Sequence, residues 1–152
     1  MKYFIPIFIF TILVDSISAQ WDERNAKEFF KRTNYLMAID EYKNGLKLEP
    51  NNFDYNYKLG ICFLRTNINK SEAAKYIQKA YDLPKSHSEI SFYLGKAYQI
   101  NLEFDKAKKY FDEYLLKPGK NLVNAALSRA NCDHAIKIMK KLINISFKNL
   151  GD

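Results

Sequence analysis

Apolar residues recur at every third or fourth position over most of this chain, and they do so in blocks. One block, YKLGICFL (57–64), carries a glycine, Gly60, in its middle. A second, FYLGKAYQ (92–99), repeats the order of aromatic, leucine, glycine and aromatic, with Gly95 standing 35 residues after Gly60. Apolar spacing of this kind marks one face of a helix. A glycine inside a helix costs about 1 kcal/mol relative to alanine. Its recurrence at matching places therefore predicts another element lying so close that a side chain would block it.

Each glycine-bearing block is followed by a second amphipathic one that ends in proline. EAAKYIQKAYDLP ends at Pro84, DKAKKYFDEYLLKP at Pro118, and an earlier block, MAIDEYKNGLKLEP, at Pro50. The prolines are separated by 34 residues at both intervals, and a fixed period of this length signals a repeat architecture. The pattern predicts helices over residues 21–32, 35–48, 53–65, 71–83, 88–100 and 105–117. They pair as three hairpins, at about residues 20–50, 51–84 and 85–118. A proline cannot continue a helix, so EPNN (49–52) closes the first hairpin. One such hairpin cannot bury its own apolar face; stacked neighbours supply the missing core. The predicted fold class is all-α.

The two ends read differently. MKYFIPIFIFTILVDSISAQ opens with Lys2, runs apolar from Tyr3 to Val14 and turns small and polar by Ala19. That is the layout of a secretory signal peptide over residues 1–19, with a mature chain beginning at Gln20. The apolar run is shorter than the ~20 residues of a membrane-spanning helix. Beyond Pro118, residues 119–142 predict one long helix with Leu122, Ala126, Ala130, Ile136 and Met139 on its apolar side. Its expected role is to cap the stack. INISFKNLGD (143–152) then changes period, with Ile143, Ile145 and Phe147 alternating as in a strand. This segment is expected to begin a further β domain, and the chain to be a piece of a longer protein.

Charge and chemistry narrow the function. The net charge is +7, and removing Lys2 together with Asp15 leaves it at +7. Cations and carboxylates are interleaved along every predicted helix, which argues against a nucleic-acid stripe and favours an acidic protein surface or an anionic envelope polymer. Cys62 and Cys132 fall in apolar helical stretches, where cysteine acts as a small buried hydrophobe. Cys132 and His134 are two residues apart and point to different sides of a helix, so no zinc ligand set assembles. There is no phosphate loop, nucleophile elbow or zinc-protease helix. Adjacent carboxylates such as Asp40–Glu41 and Asp112–Glu113 diverge on a helix. His87 reads as a solvated helix start. The expectation is a binding protein without enzymatic activity, metal or cofactor.

These residues resemble the tetratricopeptide repeat over positions 21–118. In the second hairpin Leu59, Gly60, Phe63, Ala73, Ile77, Ala80 and Pro84 carry the likeness. In the third it rests on Leu94, Gly95, Tyr98, Phe104, Ala107, Phe111, Tyr114 and Pro118. The first hairpin is a weaker copy, with Ala26, Ala38, Tyr42 and Pro50 in phase. The resemblance implies a right-handed solenoid of three repeats plus a capping helix, with Ala73 and Ala107 facing Gly60 and Gly95. It also implies that the first helix of each repeat lines a concave groove. The inward residues would be Glu23, Lys27, Phe30 and Lys31; then Asp54, Tyr57, Ile61, Leu64 and Arg65; then Glu89, Phe92, Lys96, Gln99 and Ile100. Aromatics beside cations suit a peptide or protein partner with apolar anchors and acidic groups. The family's clamp for a terminal carboxylate is not implied, because Lys27 and Ile61 stand where its asparagines would.

A narrower resemblance rests on residues 55–80 and on INISFKNLG (143–151). Together they are similar to the repeat region of Bacteroidota-type OmpA-family envelope proteins. There the repeats precede a β-propeller and a peptidoglycan-binding domain, and some members serve gliding motility and type IX secretion. The resemblance implies an exported periplasmic scaffold, associated with the outer membrane, that binds a protein partner. A structural spacer holding such domains apart is the other reading.

Overall fold

The computed structural model describes residues 21–143, and within them the chain is helical with no strand. The elements are α1 (Glu23–Lys31), α2 (Tyr35–Leu48), α3 (Phe53–Arg65), α4 (Ala73–Tyr81, entered through a 3-10 turn at Lys70–Glu72), α5 (Ile90–Ile100), α6 (Phe104–Leu115) and α7 (Leu122–Ile143). The expected signal peptide and all of the expected strand except Ile143 lie outside the described residues. Ile143 itself is the last residue of α7, not the first of a strand. Each helix packs on the next in sequence, and α3 also meets α5, as α5 meets α7, along one side.

Local chemistry sets the helix ends. Asp22, Asn34 and Asn52 each accept a backbone N–H of the first turn that follows, at Arg24, Met37 and Tyr55. These donors have no partner inside the helix, and short polar side chains satisfy them best. The turns inside the first and third hairpins are the same motif. Thr33 and Leu102 adopt φ of 58° and 61°. Asn34 donates to the Phe29 carbonyl and Glu103 to the Tyr98 carbonyl, both at 2.9 Å. Thr33 donates to Phe30 and Leu102 to Gln99 in the same way. This is a Schellman closure, built without glycine. The middle hairpin, whose loop is one residue longer, instead places Asn69 in the left-handed region at φ 47°.

The glycines sit where the second helix of a hairpin crosses the first. A Cβ on Gly60 would overlap Ile77 Cγ1 and lie 3.2 Å from the Ala73 carbonyl oxygen. One on Gly95 would lie 2.7 Å from the Phe111 ring. The close approach expected from the sequence is present, but the facing groups are Ile77 and Phe111 side chains. Ala73 contributes its backbone, and the atoms nearest Gly95 are those of the Phe111 ring. Around these crossings Leu59, Phe63, Ile77, Leu94, Phe111 and Tyr114 are almost wholly buried.

Helix α7 packs on α6 through a different stripe from the one expected. Ala125, Ser128 and Cys132 are buried, whereas Leu122, Ala126, Ala130 and Met139 are exposed. Small side chains let α7 lie close against α6, and ion pairs fix its roll: Arg129 pairs with Asp112 at 2.6 Å, and Lys108 pairs with Asp133. Arg129 also bonds Asp133 at 2.6 Å. Arg129 stands 34 residues after Gly95. The position that admits a following helix in α3 and α5 is here occupied by a tethered guanidinium.

Candidate functional site

The side on which α3, α5 and α7 neighbour one another holds a cleft of about 360 Å³. The end of α3 contributes Leu64 and Arg65. Phe92, Tyr93, Lys96 and Ile100 come from α5, and Asn121, Asn124, Leu127 and Ser128 from α7 and the residue just before it. The wall is mixed. Leu127 is 60% exposed and Ile100 40%, so aliphatic surface faces solvent there. Two cations and two amides line the rest, with no carboxylate among the lining residues. The Lys96 ammonium donates to Gln99 Oε1 at 3.3 Å, and Gln99 Nε2 donates to the Ser128 carbonyl at 3.3 Å. Gln99 thus braces α5 against α7 while its oxygen holds Lys96.

Of the residues that the repeat resemblance pointed to, the structure brings Leu64, Arg65, Phe92, Lys96 and Ile100 into this cleft, with Gln99 supporting it from behind. Phe92 offers little more than an edge. It is 7% exposed, and its ring packs within 5.5 Å of Tyr114 and 6.2 Å of Phe111. Tyr57, expected beside it, is a core residue. Its ring stacks between Phe53 and His87, and its hydroxyl lies 3.3 Å from His87 Nδ1. Ile61 is likewise buried. Both belong to the core, because α3 is covered on nearly all sides.

Glu89 is also turned inward. Its carboxylate accepts from the Tyr114 hydroxyl at 2.8 Å, from the Asn121 amide and from the Lys120 backbone N–H. Burial acts to raise its pKa, but these donors outweigh it and hold the carboxyl below its ordinary value. Glu89 therefore ties the α6–α7 link to the start of α5. Asp54 pairs with Lys85, and Lys27 pairs with Glu23 at 2.8 Å. Phe30 packs against Tyr35 and Tyr42 under Lys58. Lys31 is exposed on α1. None of these four joins the cleft.

The α7 contribution was missed because the helix was assigned the wrong stripe. A signal was present: Leu127 lies 34 residues after Tyr93, so carrying the period past Pro118 would have pointed to it. Several reactive groups elsewhere are buried or bonded within the chain. Both cysteines are free thiols in the core, and burial pushes Cys62 up to about 12, leaving it inert as a nucleophile. Asp112 turns to Arg129, while Glu113 accepts from Tyr81 and Ser91 at 2.7 Å each.

In comparisons with known proteins, no family model matches this chain and no curated protein is significantly similar to it. Among the described residues no helix is long and apolar enough to cross a membrane.

Proposed function

We propose that this chain is a non-catalytic interaction module of the tetratricopeptide type. In this reading it is a right-handed stack of three hairpins closed by α7, and it holds a peptide or protein partner in the cleft between α3, α5 and α7. The observation that carries the proposal is the cleft wall, where exposed aliphatic side chains stand beside Arg65 and Lys96 with no carboxylate present. Binding surfaces concentrate affinity in such apolar patches and use rim charges for steering. The helical hairpins with their glycine crossings support the repeat assignment. The leader-like residues 1–19 and the likeness to envelope proteins support export to the periplasm as part of an outer-membrane assembly.

Site-specific photo-crosslinking in the native host tests the reading. A crosslinker at Leu127 or Arg65 should trap one defined partner, and one at Lys75 or Lys79 on α4 should not. Trapping of equal strength from both faces, or none from the cleft, removes the binding role and leaves a spacer. Intact mass of the protein isolated from the same cells tests export: the chain should begin at Gln20, and retention of residues 1–19 would refute it.

A further inference from the structure

The charges of the cleft point to the chemistry of what fills it. Cations elsewhere on this surface are commonly matched by groups of the chain itself. Lys27, Lys85, Lys106 and Lys117 each have a carboxylate within 4 Å, and Lys43 and Lys58 lie over aromatic rings. Others among the described residues, such as Lys31, Lys70 and Lys79, lie singly on the surface without such a group, but in the cleft two unmatched cations line one recess. Among the described residues Arg65 has no carboxylate and no ring partner, and Lys96 has only the neutral Gln99 oxygen. They come from two neighbouring helices and line one recess with Leu64, Ile100 and Leu127. A recess with two cations, exposed aliphatic side chains and no carboxylate among its lining residues suits a ligand with acidic groups about an aliphatic side chain.

We infer that the occupant is an acidic peptide segment bearing an aliphatic residue. That side chain seats against Leu64, Ile100 and Leu127, and its flanking carboxylates reach Arg65 and Lys96. The inference rests on the binding reading given above and makes it specific. It concerns carboxylates along a segment, not a chain terminus. The Asn124 amide, exposed on the α7 side, is placed to bond the peptide backbone. A nucleic-acid strand would also supply anions, but of the two aromatics in the lining Phe92 is buried and Tyr93 half-buried, which leaves bases little to stack on.

Titration of the full chain, isotopically labelled, with short blocked peptides tests this by NMR. The probe is acetyl-Glu-Glu-Leu-Asp-Glu-amide. It is compared with the same peptide carrying serine for leucine, with acetyl-Lys-Lys-Leu-Lys-Lys-amide and with a thymidine oligonucleotide. The acidic leucine peptide should shift Leu64, Ile100 and Leu127. The serine and lysine peptides should each bind about tenfold more weakly. Arg65→Glu with Lys96→Glu should lower its affinity by a similar factor and weaken its salt dependence. Arg65→Gln, which removes the charge without reversing it, should do less. Unchanged melting temperatures separate these losses from unfolding. Equal binding of the lysine peptide, or no loss on charge reversal, overturns the acidic assignment and leaves the cleft as a peptide site. Tighter binding of the oligonucleotide overturns the peptide class. If no probe shifts the cleft, both this inference and the binding reading fall.

Discussion

At Gly60 a hydrogen occupies the place where any other residue would drive a carbon into Ile77. Its neighbour Ala73 presents a carbonyl oxygen 3.2 Å from that place, and backbone cannot move aside as a side chain can. Gly60→Ala should therefore destabilise by about 2 kcal/mol or more, from overpacking, and Gly60→Leu should abolish folding. Gly95→Ala should cost less, because Phe111 meets the added carbon with a ring face that can tilt. Urea unfolding of the three variants checks the order. Glu89 makes a second prediction. Its carboxyl is held below the ordinary value of 4.5, so its contribution is fully present above that pH and is lost as pH falls through the lowered folded value. Glu89→Gln should flatten the acid limb of a stability–pH curve, and an unchanged limb would remove the network from the account. The glycines were legible in the sequence because their recurrence defied helix propensity. The inward turn of Tyr57 and Glu89 was not. Aromatic and acidic side chains at first-helix positions serve a groove or a core depending on how closely the next helix covers them, and no spacing rule encodes that distance.

Helix boundaries were the most legible feature at the scale of elements. Helices α2 and α3 begin and end where the pattern placed them, since asparagine caps and proline stops are local signals. Helix α4 begins later than read, behind a 3-10 turn, and α5 begins at Ile90 because the stretch around His87 folds onto Tyr57. The left-handed turns were invisible, as neither Thr33 nor Leu102 is a residue type that announces one. Leu102 is 65% exposed and holds φ 61°, a conformation that costs an L-residue about 1–2 kcal/mol. Replacing it with glycine removes that cost while adding some disorder to the unfolded chain. Leu102→Gly should thus stabilise by about 0.5–1 kcal/mol, seen as a rise in melting temperature of about 3 °C. A fall would show that the exposed leucine packs in a way its accessibility does not suggest.

For the whole molecule, the dispersed net charge of +7 favours solubility and gives no single basic face. What distinguishes one side is the local absence of carboxylates in the cleft. Composition cannot register this, because it depends on which helices neighbour one another. Half of the site was legible: Leu64, Arg65, Phe92, Lys96 and Ile100 follow from the repeat frame. Asn124 and Leu127 required knowing that α7 continues the row begun by α3 and α5. Tyr57→Ala and Phe92→Ala would hollow the core and so report on packing. Leu127→Ala and Ile100→Ala, at exposed positions, are the substitutions that isolate recognition.

The tethered Arg129 has a further consequence. Among the described residues no helix lies behind it, so there α7 is held from one flank, and units of a stacked array open most readily at the end that has a single neighbour. Its amides beyond Cys132 should exchange with deuterated solvent well before those of α3 and α5. Yet α7 supplies one wall of the cleft. A ligand touching all three helices would clip the loose end to the firm middle, and exchange near Ile138 should slow on binding although that residue is remote from the contact. The frayed end of the stack would then act as a gauge of occupancy.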